Sequence, residues 1–349
     1  MAARKPGLRR KAIPLRNVAG YWGRPTVVER LRQARAALIR AGVFDVLDVY
    51  TPTIAGTIPL GIDIPGSDVD VLCTAPDADA FVRDALRFAR QPRFSLYRAD
   101  DTHPPAVVCR FTTEGLPVEL FAQPIPVTAQ RAYRHMVVEG RLLAMAGEGA
   151  GEAICALKRK GIKTEPAFAE HFALVGDAYE ALLRMADWSD AALAAAVADG
   201  YRTRRRCPFC RVVDGGAASR ISDDPWTLSF VNRRQANPGH VLVIPRRHIP
   251  NVFDLDLEAA SALGRAATGA AQALRAALGV TDLSIWQSNG AAAGQVIGHL
   301  HVHVFPRRQG DGWFQVYPPG APPEPRPRVE LDALANRIRP GAGVRRPLS

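Results

Sequence analysis

The stretch Gly298-His299-Leu300-His301-Val302-His303-Val304-Phe305-Pro306-Arg307 constrains this chain more than any other. Three histidines alternate with apolar residues at a period of two. Side chains on a β-strand point alternately to opposite faces, so this spacing predicts all three imidazoles on one face. Leu300, Val302 and Val304 fall on the other, where they can pack into a core. The chain has eight histidines in 349 residues, and three of them sit within five positions. Packing alone does not call for that density, so the segment marks a site.

A chain of this length is expected to fold as about two domains of ~150 residues each. Its hydrophobic fraction of 47% is enough for globular cores. No run of about 18 apolar residues occurs, so no membrane span is expected. Arg4, Lys5, Arg9, Arg10 and Lys11 make the start basic, but no apolar stretch follows as a secretory signal requires. Residues 1–19 read as a basic flexible arm. The cysteines are Cys73, Cys109, Cys155, Cys207 and Cys210; an odd count in a long chain is not a disulfide framework and points to the cytoplasm. The net charge of +11 suits phosphate-bearing partners.

Periodicity and breakers give a coarse element order. A helix is expected from Pro25 to Arg40, stopped at Gly42, and another over 77–90. Strands are expected at 46–50, 69–73, 94–97, 106–111 and 117–121. From Thr128 to about Val197 the chain reads as helical, broken near Gly147, Gly161 and Gly176. The run Arg202-Thr203-Arg204-Arg205-Arg206 reads as a boundary. Beyond it come strands at 226–232 and 240–244, a long Ala-rich helix over 255–278, a strand at 283–287 and the histidine strand. The Pro/Arg-rich end reads as a loosely held tail.

Cys207-Pro208-Phe209-Cys210 has the spacing at which a tight turn presents two thiolates to one Zn²⁺. Histidine partners are available at His240, His248, His299, His301 and His303, and spacing alone does not choose among them. The same histidines carry a second chemistry. A neutral imidazole is a competent nucleophile toward phosphorus, and a covalent nucleotidyl-histidine splits one displacement into two. Gly294-Gln295 and Asn289, just upstream, can supply donors for the phosphoryl oxygens.

Residues 207–307 resemble the histidine-triad (HIT) superfamily of nucleotide hydrolases and transferases. The resemblance is carried by Cys207-x-x-Cys210, Val231-Asn232-Arg233, Pro238-Gly239-His240 through Pro245, His248-Ile249, Asn289-Gly290, Gly294-Gln295 and His299-x-His301-x-His303. It implies a five-stranded antiparallel sheet with one long helix, and a possible homodimer. It implies that His301 attacks the α-phosphorus, that His303 supports it, and that Gln295, Asn289 and Gly294 meet phosphate and leaving group. It places Asn232 at the ribose and the zinc ligands at Cys207, Cys210, His248 and His299. Val296 departs from the pattern, because many members carry Ser or Thr there.

The first half holds an acidic constellation. Asp68 and Asp70 alternate on an expected strand, so both carboxylates face one side and suit Mg²⁺. Glu119, polar amid apolar strand neighbours, is the expected third ligand. The turns Gly56-Thr57 and Gly66-Ser67 can offer backbone N–H groups to a phosphate. A polar strand end with solvent-facing aspartates is the plainer alternative. The pattern resembles the polymerase-β-like nucleotidyltransferases. More narrowly, residues 46–185 resemble domain of unknown function 4269, through Ala55–Asp63, Gly66–Asp70, Val118–Pro126, Tyr133–Met136 and Lys163–Phe168.

Together these readings predict an α/β (α+β) chain with a nucleotidyltransferase-like mixed sheet and helical appendage over 20–198. A basic linker at 199–206, a HIT domain at 207–315 and a tail at 316–349 follow. The expected activity is nucleotide hydrolysis or nucleotidyl transfer through nucleotidyl-His301, with structural Zn²⁺ and, in the first half, Mg²⁺. A protein or RNA acceptor is conceivable for the first half, which is alternatively a non-catalytic binding module.

Overall fold

Pro25 opens the first helix, Pro25–Arg40, at a position where its missing N–H costs nothing. Ala34 and Leu38, one turn apart, are buried, and Gly42 ends the segment at φ +75°. The computed structural model describes residues 25–100, 102–147, 149–313 and 326–338. The arm expected at 1–19 lies outside them, as does most of the expected tail; within that tail, Arg328–Ile338 is helical rather than loose.

Five strands form a first, mixed sheet: β1 (Thr53–Ala55), β2 (Val69–Thr74), β3 (Ser95–Ala99), β4 (Ala106–Thr113) and β5 (Leu116–Gln123). Their order is β1-β2-β5-β4-β3, with β2 and β5 parallel and the other neighbours antiparallel. Val69, Val71 and Cys73 project into one core with the helices at 25–40, 43–47 and 78–85. Leu72, on the other face, joins a second core built from the helices Arg131–Ala146, Ala150–Arg159, Thr164–His171, Ala178–Met185 and Asp190–Arg206. Residues 46–50 are not a strand. They lie in a helix, Val43–Leu47, and a 3-10 turn, Asp48–Tyr50, because Val43 and Leu47 bury together at helical spacing while Val49 faces solvent.

The second sheet is antiparallel throughout: β6 (Arg220–Asp223), β7 (Thr227–Val231), β8 (Val241–Pro245), β9 (Leu283–Trp286) and β10 (Val302–Pro306), in the order β6-β7-β8-β10-β9. The helix Leu257–Leu278 is capped by Asp256, whose side chain accepts from the Ala259 N–H, and ends at Gly279 with φ +65°. Its stripe of Ala259, Leu263, Ala267, Ala270 and Leu274 covers Val241, Val243, Leu300 and Val304. Leu242 and Ile244 face the opposite way, onto Phe209, Cys210 and Val213.

The two sheets share one compact body, which ends at Pro306; a second body follows from Arg307. The expected linker at 199–206 is the last two turns of the continuous helix Asp190–Arg206. Arg204 in it reaches Glu170 of the first half (3.2 Å) and Asp214 of the second (2.7 Å). Trp226, before β7, packs on the helical core of the first half. Among the described residues no helix is long and apolar enough to cross a membrane.

Candidate functional site

Cys207 caps the short helix Pro208–Val213, its Sγ accepting from the Cys210 N–H at 3.5 Å. That turn brings both sulfurs to one side, where His248 follows β8 and His299 precedes β10. Cys210 Sγ lies 3.2 Å from His248 Nδ1 and 3.4 Å from His299 Nδ1, and Cys207 Sγ lies 3.5 Å from His299 Nδ1. A tetrahedral Zn²⁺ with its usual bond lengths sets S···N edges at roughly 3.5 Å, so the donor set has the size the ion needs. All four side chains are buried, and their ligand atoms lie within 4.8 Å of one another. His299 Nε2 donates to the Pro245 carbonyl at 2.9 Å, which frees Nδ1 as the ligand atom. Hydrogen bonds from Cys210, His248 and His299 hold the Cys207 thiol far below its ordinary range, while the contact with Cys207 and burial push the Cys210 thiol up, so the two sulfurs share one proton.

Next along the strand, His301 Nδ1 lies 2.7 Å from the His299 carbonyl. A carbonyl only accepts, so Nδ1 carries the proton and Nε2 keeps its lone pair. Burial lowers the His301 pKa, which holds the ring neutral. His303 is fixed by a relay. Asn232 Oδ1 accepts from the Arg234 N–H at 3.2 Å, which turns the amide nitrogen toward His240 Nδ1 at 3.1 Å. His240 Nε2 then donates to His303 Nδ1 at 2.9 Å, leaving the His303 proton on Nε2. Burial, then His301 and His240, press the His303 pKa down to about 3. Trp286 stacks on the His303 ring at 4.3 Å, and the Phe209 edge meets His301 at 5.2 Å and His299 at 5.9 Å. A lone pair on His301 Nε2 and an N–H on His303 Nε2 thus stand on neighbouring rings whose centroids are 5.0 Å apart.

The three imidazoles keep the alternation expected of them, although strand pairing starts only at Val302. Asn232 differs from expectation. Its amide orients His240 through one N–H and meets the Arg234 N–H through its oxygen, a role beyond the ribose contact expected of it. Gln295 and Asn289 frame the loop before the strand. Gln295 donates to the Pro250 carbonyl (2.6 Å) and accepts from the Gly290 N–H (2.7 Å), while Asn289 Oδ1 accepts from the Val252 N–H (2.8 Å). Gly294 turns this loop at φ +80°, and Val296 stands almost fully exposed beside it.

In the first half, Thr57, Ser67, Asp68, Asp70, Lys158 and Thr164 line a cleft of about 340 Å³. Gly56 has φ +73°, and a Cβ there would lie 1.8 Å from Asp70 Oδ2, so only glycine lets the carboxylate settle against the turn. Burial, then Asp68, Glu119 and Glu165, push the Asp70 pKa up to about 8. Ser67 is drawn inward, its Oγ accepting from the Ile64 N–H at 3.0 Å. Glu119 holds the register position beside Asp70 on the parallel neighbour, so both face one side. Its carboxylate, however, takes the Arg110 Nε–H at 2.6 Å. Asp68, Asp70 and Glu119 do not gather into a metal-sized group; among the described residues only the Cys/His cluster does. In this structure Glu119 is thus paired with Arg110 rather than drawn to Asp68 and Asp70.

Phe209 and Trp286 are the contributors that sequence reasoning did not place at the site, and His240, offered there only as a metal partner, is found orienting His303. The Pro-Gly-His turn and the aromatic inside the Cys pair were the available signals. Their meaning depends on which strands become neighbours.

The HIT domain model matches residues 217–310, and the model of domain of unknown function 4269 matches residues 36–185. Protein hit of Bacillus subtilis (strain 168) is 35% identical over 113 residues, covering 32% of this chain and 78% of that protein. Adenylylsulfatase HINT3 of Arabidopsis thaliana is 28% identical over 130 residues, covering 37% and 66%. A crystal structure of a HIT family protein from Bacillus anthracis str. 'Ames Ancestor' is 30% identical, covers 38% of this chain and 94% of its own, and has a TM-score of 0.35. With its buried Cys/His cluster and its alternating histidines carried on a five-stranded antiparallel sheet, the chain belongs to the HIT family.

Proposed function

We propose that the second half cleaves nucleotide conjugates or dinucleoside polyphosphates at the α-phosphorus through a nucleotidyl-His301 intermediate, with Zn²⁺ as a structural ion on Cys207, Cys210, His248 and His299. The observation that carries this reading is the pair of fixed tautomers. His301 Nε2 supplies the electron pair that forms the N–P bond as the bond to the leaving oxygen breaks. The positive charge that builds on His301 is met by the His299 carbonyl at Nδ1. His303 Nε2–H is a fixed donor for a phosphoryl oxygen. Gln295 and Asn289 shape the loop through which the leaving group departs. Water then attacks phosphorus, the nucleotide leaves with the new hydroxyl, and His301 returns neutral as one proton passes to solvent. The named activity of the Arabidopsis relative, an adenylylsulfatase, belongs to the same class of α-phosphorus cleavage.

The test is His301→Asn assayed with adenosine 5′-phosphosulfate and diadenosine triphosphate. Loss of a covalent nucleophile is expected to lower kcat by roughly 10⁴-fold or more. Turnover within tenfold of the parent protein removes the assignment.

For the first half, the Arg110–Glu119 bond favours a nucleotide- or partner-binding module over a second nucleotidyltransferase. The same His301→Asn protein, given labelled nucleotide and Mg²⁺, is then expected to yield no covalently labelled product. A labelled product would restore the nucleotidyltransferase reading, with Asp68 and Asp70 as its first residues to replace.

A further inference from the structure

We infer that the first half of the chain positions the catalytic loop of the second, through a clamp in which Lys163 and Tyr179 hold Glu258. This rests on the α-phosphorus cleavage proposed above.

The segment 247–258 lies between the two halves and serves both. On its inner side it carries His248 of the metal cluster. The Ile249 carbonyl accepts from the Leu300 N–H at 2.7 Å, one residue before His301. The Pro250 carbonyl takes Gln295, and the Val252 N–H is held by Asn289. Four attachments within five residues thus tie the segment to the metal ligands and to the loop that leads into the histidines.

On its outer side the segment is gripped by the first half. Lys163 Nζ donates to Glu258 Oε1 at 2.6 Å, and the Tyr179 hydroxyl donates to the same oxygen at 3.3 Å. Gly176 packs against Asp254; a Cβ there would lie 3.6 Å from its Oδ1. The grip has a fixed base, because the Tyr179 carbonyl accepts from His135 Nε2 at 3.0 Å and His135 Nδ1 lies 3.4 Å from Glu165. Glu258 also sits in the first turn of Leu257–Leu278, where its charge suits the helix start. Lys163 and Tyr179 thereby fix both the start of the long helix and the segment before it. None of these three side chains belongs to the histidine site, so they are positioning residues.

Lys163→Met, Tyr179→Phe and the double variant test the clamp in the full chain. Two measurements are taken: steady-state kinetics with adenosine 5′-phosphosulfate, and amide exchange at Val252 and Leu300, the two backbone donors that tie the segment to the loop. In the double variant kcat is expected to fall roughly tenfold with KM within about twofold, and both amides to exchange several-fold faster. Amides of β8 should be unchanged, and Lys163→Arg should restore most of kcat. The inference is overturned if the double variant keeps the parent kcat, or if kcat falls only together with accelerated exchange in β8, which is general loosening. If the parent protein cleaves neither test substrate, the functional reading fails instead. The exchange comparison still decides the clamp.

Discussion

His303 is held neutral by its surroundings: burial, the adjacent His301 ring and the His240 N–H all oppose a second proton. Its folded pKa of about 3 lies below the ordinary value near 6.5. Between those values the unfolded chain binds a proton that the folded chain refuses. The contribution to stability is therefore complete above about pH 6.5 and is lost as pH falls toward 3. His301 and His240 shift in the same direction, both through burial. Asp70 acts oppositely, since a carboxyl raised to about 8 weakens the fold as pH rises from its ordinary 3.8 through that value. Replacing His303 by Gln leaves Asp70 in place and isolates the first effect. Urea unfolding at pH 5 and pH 7 should show the parent losing about 1 kcal/mol more than His303→Gln, allowing for the partial exposure of the ring. An equal loss in both proteins would contradict the assignment. The parent's kcat/KM should likewise lack an inflection at 6.5, because burial shifts both reacting imidazoles below that value.

Short elements carry the chemistry here, and their local signals were of uneven quality. The turn that closes the Cys pair was legible, since two cysteines three apart need only one helical turn to converge. The histidine alternation was legible because its apolar partners Leu300 and Val304 fill a core of matching period. Residues 46–50 misled because Val46, Leu47, Val49 and Tyr50 look strand-like locally, whereas packing of Val43 and Leu47 decides for helix. The basic run at 202–206 was read as a break, but Lys/Arg-rich last turns suit a helix C-terminus. The Asn232–His240–His303 relay and the Arg110–Glu119 bond join different strands, and strand order is not written in any local pattern. At this scale the metal cluster gives a direct prediction. Cys210→Ser should reduce bound zinc from about one ion per chain to a small fraction and lower the Tm by roughly 5 °C or more. Metal analysis and calorimetry on one preparation check both, and full zinc retention would argue against Cys210 as a ligand.

The molecule joins its halves by a rod, not a tether. The helix Asp190–Arg206 leaves the first core and ends on Cys207, which is at once its C-cap, the N-cap of the next helix and a member of the metal cluster. A fragment beginning at Pro208 loses a ligand. One beginning at Ser189 keeps the rod but strips Arg204 of Glu170, Glu258 of Lys163 and Tyr179, and Trp226 of the core it packs on. A 189–313 fragment is therefore expected to bind less zinc than the full chain and to self-associate through the uncovered Trp226 surface. Metal analysis and sedimentation velocity report this; a monomeric, fully loaded fragment would show the halves to be independent. The same continuity bears on how such a chain evolves. A flexible join can be undone by one deletion that returns two working proteins, but here every breakpoint between the cores damages a cap, a ligand or an ion pair. A helix that ends on a metal ligand makes such a fusion a ratchet: substitutions on either side are tolerated only while the two halves stay fitted to each other.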